Sequence, residues 1–536
     1  MKRIRELFDP SIDAINYNTK ENKEFFISSY LKTSFLDKAL KSNCYYTIGE
    51  KGSGKTALAF HFQNTAPNGV AANLVSINET QYKRFIKLKE DGKLSYTDYS
   101  IIWRATLLYL ISKTVIEKKK KWHHKLTKRF SPVEKAIKDY DTNSQVPELE
   151  YVIEFATSLT SKADLNASVP TVLKASLQES GTNSTKTTVT EIKTALLDCE
   201  KKLKTGIQDI KLDNDIILFI DGIDAKPNGI TFDEYKNCLI GLSEAAWHLN
   251  SEFFPNIKDT KGRLRINLLL RPDVFNSLNI HNSNCKLKDN SVILNWSTSK
   301  ERHKNSDLFK MSDKYFSSQN RGLKDSGWEH YFPYPHTSSN RPFVEILNKS
   351  FHRPRDIFSS ISILIEIFKR NGKGKNNKFE PGVFHYSEFT DEYYEYLLGE
   401  VKNYANFYMT NEEFEKHTGF FQCLNGGAKF DYHQFISAHE NFIGDTKSKT
   451  ILSSQFTSSP EAFLQFWYDV NVIGYKENIE NENDGFYRWS YRERSIAKVM
   501  PKVKLDSHYM VHPGVAKSLN IGKKFVENRR HRVRET

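Results

Sequence analysis

Short apolar runs separated by amphipathic or polar stretches set the rhythm of the chain. Residues 70–77, 216–220 and 291–296 are too short and too evenly apolar for helices, the pattern of strands buried on both faces of a parallel sheet. Two more runs lead into polar clusters: 44–48 passes into Gly49, and 263–275 carries an Arg-Pro-Asp sequence after its leucines. Between them the period becomes helical, at 31–40, 98–117, 189–203 and 231–254, the last opened by Thr231-Phe-Asp-Glu with the spacing of a capping box. This alternation predicts an α/β core over 44–300, a parallel sheet with helices on both faces. Residues 1–43 read as a lead-in with scattered aromatics, and 141–192, rich in Ser, Thr and Asn, as a polar insertion in the core.

Beyond residue 300 the pattern loosens. Residues 300–340 carry Lys, Ser, Asn and aromatics without a period and read as an irregular excursion. A strongly apolar helix at 357–368, with Pro354 in its first turn, completes a helical lid over 301–378. After the Gly/Lys/Asn linker 371–378, a helical region spans 379–458, with helices at 387–409 and 411–424. Over 459–536 the order helix, strand, polar turn, strand outlines a winged-helix-like domain, with Arg488, Arg492 and Arg494 alternating along the wing.

The chemistry begins at 44–62, where a strand, a glycine-rich turn and a helix follow one another. Gly49, Gly54, Lys55 and Thr56 fill the fixed places of a phosphate-binding loop, and Glu50, Lys51, Gly52, Ser53 and Ala57 complete it. Glycines are needed because backbone N–H groups must turn inward and meet phosphate without a Cβ in the way. The helix that follows points its positive end at the same place. Lys55 is then expected to reach the β- and γ-phosphates of ATP, and the Thr56 hydroxyl to ligate Mg²⁺.

A second signature is Asp215-Ile-Ile-Leu-Phe-Ile-Asp-Gly-Ile-Asp224. A buried parallel strand delivers Asp221 at its carboxyl end, beside the phosphate loop, as the metal-associated carboxylate. Asp224 is the candidate to polarise the attacking water; directly after Asp221, where many such enzymes have glutamate, this chain has Gly222. Arg271 sits where a γ-phosphate sensor would, with an ion pair to Asp273 as the alternative. Arg353 and Arg355 open a helix where acids are the usual choice. Contact with the nucleotide from the lid explains them, and so does pairing with Asp356 or Glu366.

Composition narrows the partners. With 38 % apolar residues, 36 Phe and 26 Tyr the chain is globular, and 78 Lys and Arg against 65 Asp and Glu favour a polyanionic partner. Candidate contacts to double-stranded DNA are the basic stretches 118–129, 488–494 and 529–534; a solvated helix face is the commoner explanation of the first. The five cysteines are far apart and suggest neither a zinc site nor a disulfide framework. No membrane span and no export signal are read, so a cytoplasmic location is expected.

Taken together, residues 49–58, 219–224, 268–275 and 352–357 resemble the signal-transduction ATPases with numerous domains, the STAND branch of AAA-like P-loop proteins. More narrowly, they are similar to a set of bacterial P-loop ATPases met near anti-phage defence genes. The resemblance covers about 20–370 and, more loosely, the winged-helix-like tail. It implies Lys55 and Thr56 as phosphate and Mg²⁺ ligands, Asp221 and Asp224 as the two acids, Arg271 as sensor and Arg353 or Arg355 as lid contact. It also implies homo-oligomers on activation, and a separate effector protein is expected because no effector motif is found in the chain. An ATP-hydrolysing switch is thus expected; the alternative is a nucleotide-bound scaffold or DNA-binding protein that does not turn over. A small-molecule phosphotransferase is the third reading.

Overall fold

The computed structural model describes residues 1–536 except 11–12, 78–98, 122–129, 143–188, 225, 228, 279, 300, 321, 324, 335–340, 445–453, 478–485, 496–497 and 523–536. Most of the insertion expected at 141–192, and the basic tail 529–534, therefore lie outside the described residues.

The apolar runs form five strands: β1 (Tyr46–Ile48), β2 (Ala71–Ser76), β3 (Ile216–Asp221), β4 (Leu264–Leu270) and β5 (Ser291–Ile293). They make one parallel sheet in the order β2-β3-β4-β1-β5. Strand periodicity sends alternate residues of β3 to opposite faces. Ile217 and Phe219 join the cluster of Leu36, Leu58 and Phe62, from the helices Ser34–Leu40 and Lys55–Thr65. Ile216, Leu218 and Ile220 join a larger cluster with the helices Tyr99–Lys121, Val189–Gln208 and Phe232–His248. Helices thus cover both faces, which is why β3 can be apolar at every position until its terminal aspartate.

The sheet also buries polar side chains that hydrogen-bond to backbone carbonyls and to one another. In β4, the Arg265 guanidinium donates to the carbonyls of Ala39 (3.1 Å) and Leu40 (3.2 Å). Asn267 accepts from Thr47 Oγ1 at 2.8 Å and donates to the Cys44 carbonyl. These bonds staple β4 to β1 and to the helix that leads into it.

The stretch expected to be an irregular excursion, 300–340, contains helices at Asp307–Ser317 and Gly327–Tyr331. Leu308, Met311, Ser312, Tyr315 and Phe316 are buried at helical spacing, a period masked in the sequence by the polar residues around it. The lid helix runs Pro354–Arg370, followed by Ser387–Ala405 and Asn411–Thr418. One buried cluster joins all of these with the C-terminal segment, and Ile4 and Leu7 belong to it. The first residues are stitched in by their backbone: Ile4 N–H donates to Asn376 O and Arg5 N–H to Gly374 O, both at 2.9 Å.

The C-terminal part holds a four-stranded antiparallel sheet of β6 (Lys429–Asp431), β7 (Ile473–Glu477), β8 (Phe486–Arg488) and β9 (His508–Val511), in the order β6-β9-β7-β8. The expected helix, strand, turn, strand sequence matches Pro460–Asp469, β7 and β8. The wing differs: β8 ends at Arg488, and Ser490–Glu493 is a helical turn, so Arg492 and Arg494 do not alternate along a strand. No helix of the described residues is long and apolar enough to cross a membrane.

Candidate functional site

Because β1 and β3 run parallel through β4, their carboxyl ends meet at one edge of the sheet. The glycine turn leaves β1 there. Gly52 and Gly54 take φ of +83° and +93°, in the left-handed region that favours glycine. At Gly49 the reason is space, since a Cβ would come within 2.3 Å of Ser53 Oγ. Gly54 caps the helix Lys55–Thr65, whose first N–H groups face the turn.

Lys55 is buried, and its Nζ donates to the carbonyls of Gly49 (2.9 Å) and Glu50 (3.2 Å). Thr56 Oγ1 donates to Asp221 Oδ2 at 2.6 Å, and the Gly222 N–H holds Asp221 Oδ1 at 2.8 Å. Burial raises the Asp221 carboxyl above its usual range against the opposing Thr56 hydroxyl and Lys55. Burial also lowers Lys55, against the pull of Asp224 and Asp221. For each of the two groups burial outweighs the opposing attraction. Additional charge of either sign entering this edge changes that balance.

Asp224 lies on the rim of the same cavity as Asp221 and Lys55. Gly222 has φ +81°, and a Cβ there would sit 2.0 Å from the Ile77 carbonyl oxygen. A carboxylate directly after Asp221 is therefore excluded by the backbone, and the next acid in this segment is Asp224.

The cavity, of about 290 Å³, sits at the lower end of small-molecule sites, which run about 300–1,000 Å³. Its lining is of two kinds, polar (Lys51, Lys55, Thr56, Asp221, Asp224 and Arg355) and aromatic (including Phe26, Tyr30, Phe35, Trp296, Tyr315 and Phe358). The lead-in 1–43 supplies three of these rings, whereas Trp296, Tyr315 and Phe358 carry no sequence signal for the site.

The arginines separate by position. Arg355 lines the cavity; its backbone N–H donates to Gly52 O at 3.2 Å, and its Nη1 lies 3.4 Å from Glu400 Oε2. Arg353 instead is spent on the loop and its own helix. It donates to Lys51 O (2.9 Å), pairs with Asp356 Oδ1 (2.6 Å) and lies 3.6 Å from Glu400. The acid that answers Arg353 is thus Asp356, as one sequence reading had it, joined by Glu400, which had no signal.

Arg271 does not line the cavity. Its guanidinium grips Asp273 through Nε (3.0 Å) and Nη2 (2.5 Å) and lies over the Tyr404 ring, 4.0 Å from its centre. The ion-pair alternative for Arg271 is what the structure contains, and a nucleotide-sensor role would require breaking that pair. Asp273 also accepts from Tyr408 at 2.6 Å and is held below the usual carboxylate range by Arg271 against its burial.

Of the basic stretches, 122–129 and 529–534 lie outside the described residues, and Lys118 is buried. In 488–494, Arg488 pairs with Glu477 (2.6 Å) and Glu493 (3.2 Å), and Arg494 is buried with its Nη1 2.5 Å from Glu50. Arg492 is exposed and donates to His352 Nε2 at 3.1 Å. Carboxylates thus neutralise two of the three arginines, which weakens the basic face expected of this segment.

Among the described residues no group of three or more His, Cys, Asp or Glu forms a metal site. Thr56 and Asp221 nevertheless bring a hydroxyl and a carboxylate oxygen to one point. That donor set fits Mg²⁺, which characteristically takes one or two protein oxygens and completes its shell with phosphate and water. Comparison with known proteins adds no relative: no family model, no curated protein and no solved structure matches the chain.

Proposed function

We propose that the chain is a P-loop ATPase of the STAND or AAA-like kind, which binds MgATP in this cavity and hydrolyses its β–γ bond to drive a molecular switch. The observation that carries the reading is the meeting of Thr56 and Asp221, 165 residues apart, at 2.6 Å beside a left-handed glycine turn and a buried lysine. A glycine turn can arise by chance; one whose hydroxyl meets a strand-end carboxylate at the mouth of a cavity is hard to explain otherwise.

In this reading the base lies against aromatic rings of the lining, such as Tyr30 and Phe35, and the phosphates against the loop and the polar side chains. The loop N–H groups and Lys55 hold the phosphate oxygens, Lys55 exchanging its two carbonyl acceptors for them. Thr56 and Asp221 hold Mg²⁺, which when bound neutralises charge on the β- and γ-oxygens. Asp224 orients the water. Arg355, the one lid arginine on the cavity wall among the described residues, reports the γ-phosphate to the lid. Engagement of DNA, a separate effector or further copies of the chain, with anti-phage defence as the setting, belongs to the same proposal.

One observation favours a second reading, in which nucleotide is held without turnover. Gly222 cannot be replaced by an acid, which leaves catalysis to Asp224 alone. The two readings part on phosphate release from ATP, measured with and without double-stranded DNA and with Lys55→Ala as blank. The ATPase reading expects release that Lys55→Ala abolishes and Asp224→Asn lowers by about 10²-fold or more, the scale of a lost general base. ATP binding without release above the blank selects the scaffold, and absence of binding ends both.

A further inference from the structure

The carbonyls of the glycine turn are held from several parts of the chain. Lys55 serves those of Gly49 and Glu50, Arg353 that of Lys51, the Arg355 N–H that of Gly52, and Trp296 Nε1 that of Ser53 at 2.8 Å. The side chain of Glu50 reaches further. Its carboxylate faces Arg494 Nη1 at 2.5 Å and accepts from Asn471 Nδ2 at 3.3 Å, 421 residues away in sequence. Asn471 is fixed in turn by the Tyr491 N–H on its Oδ1 (3.0 Å). Arg494 donates through Nη2 to Asp469 O (2.9 Å) and Ser490 Oγ (3.1 Å). Glu50 and Arg494 are both buried, at 8 % and 4 % exposure. Nε and Nη1 of Arg494 have no hydrogen-bond partner among the described residues, so its contact with Glu50 is one of charge.

A carboxylate at the second position of a loop that gathers phosphates is an electrostatic liability, since it repels the ligand that the loop attracts. Arg494 cancels it from the C-terminal unit. Glu50 is also a residue whose carbonyl Lys55 occupies, so its main chain faces Lys55 while its side chain is tied to Asn471 and Arg494, beside the strands of the C-terminal sheet.

We propose that Arg494 is a positioning residue for the phosphate loop, acting through Glu50, and that the C-terminal sheet unit completes the nucleotide site by neutralising and anchoring that carboxylate. The proposal rests on the nucleotide reading given above. It assigns to the C-terminal unit a direct share in nucleotide affinity.

The test is MgATP titration by calorimetry of the full chain as wild type, Lys55→Ala, Arg494→Gln, Glu50→Gln and the double variant E50Q/R494Q. Arg494→Gln is expected to weaken MgATP roughly tenfold, the effect of one uncompensated like charge about 10 Å away at an effective dielectric near 20. The double variant, with neither charge, is expected to return to within about threefold of wild type. A merely structural role would not produce that rescue. Arg494→Gln binding as wild type does, or a double variant no better than Arg494→Gln, overturns the proposal. Wild type that binds no more MgATP than Lys55→Ala overturns instead the nucleotide reading beneath it.

Should Arg494→Gln not fold, hydrogen exchange of wild type and the double variant decides. Wild type is expected to change protection at 469–476 and 490–494 on adding MgATP, and E50Q/R494Q to lose that response. An unchanged response in the double variant overturns the proposal.

Discussion

Gly222 governs how the acids of the site are spaced. With φ +81° and the Ile77 carbonyl in the place of a Cβ, it is the point where β3 must turn sharply past its neighbour, and the acid nearest after Asp221 is displaced to Asp224. The backbone therefore has no room for a glutamate directly after Asp221. Gly222→Glu, like Gly222→Ala, is expected to destabilise the fold by about 3 kcal/mol or more through strain and collision, read as a lowered urea midpoint. The glycine turn, Lys55, Thr56 and Asp221 were legible because their pattern is local: a few residues of one stretch determine the turn, and a strand end determines the carboxylate. So was Asp273 as a partner of Arg271, two residues away, whereas the partners of Glu50 were not, because they are more than 400 positions away.

At the scale of elements, the opening of the helix Pro354–Arg370 shows how a motif that looks misplaced becomes ordinary. Arg353 occupies the N-cap, and its charge at a positive helix end is answered by Asp356 within the first turn and by Glu400 from the helix Ser387–Ala405. Glu400 holds Arg353 and Arg355 together, and the arginines keep its carboxyl below the usual range in spite of its burial. Glu400→Ala leaves two neighbouring cations without that carboxylate, and a loss of about 3 kcal/mol of unfolding free energy is expected by chemical denaturation. Glu400→Gln, which keeps the shape, is expected to lose less. The parallel sheet was readable because strands buried on both faces are apolar throughout. The helices of 307–331 carry no clear signal because Lys310, Asp313 and Lys314 stand between the buried positions of the first, and the second is only five residues long. The wing was overextended because Trp489, Tyr491 and the arginines alternate in sequence although the backbone coils at Ser490.

Across the whole molecule, the two large cores meet where Phe407 packs against Phe232 and Tyr235, and Asp469 lies by a cavity at that junction. Burial pushes the Asp469 carboxyl up to about 7, against Arg494 and the bond from Gln465. The folded state thus keeps this proton over a range in which the unfolded chain has released it. Stability contributed by the neutral acid is complete below about pH 4 and falls as pH rises toward 7. Asp469→Asn is expected to be more stable than wild type at pH 8, by about 2 kcal/mol once partial contact with water is allowed for, and equal to it near pH 4. Urea unfolding at the two pH values checks this; a constant difference would assign the effect to packing.

The stitching of Ile4 and Arg5 to Asn376 and Gly374 sets an order of events during synthesis. These residues leave the ribosome early, yet their hydrogen-bond partners follow only after the five strands of the parallel sheet have been made. Ile4 and Leu7 must stay exposed through that interval, and closing so long a loop is slow relative to local helix formation. The seam between first and later residues is therefore among the last parts of the fold to form, and the nascent chain is most open to capture by chaperones, or to aggregation, before it closes.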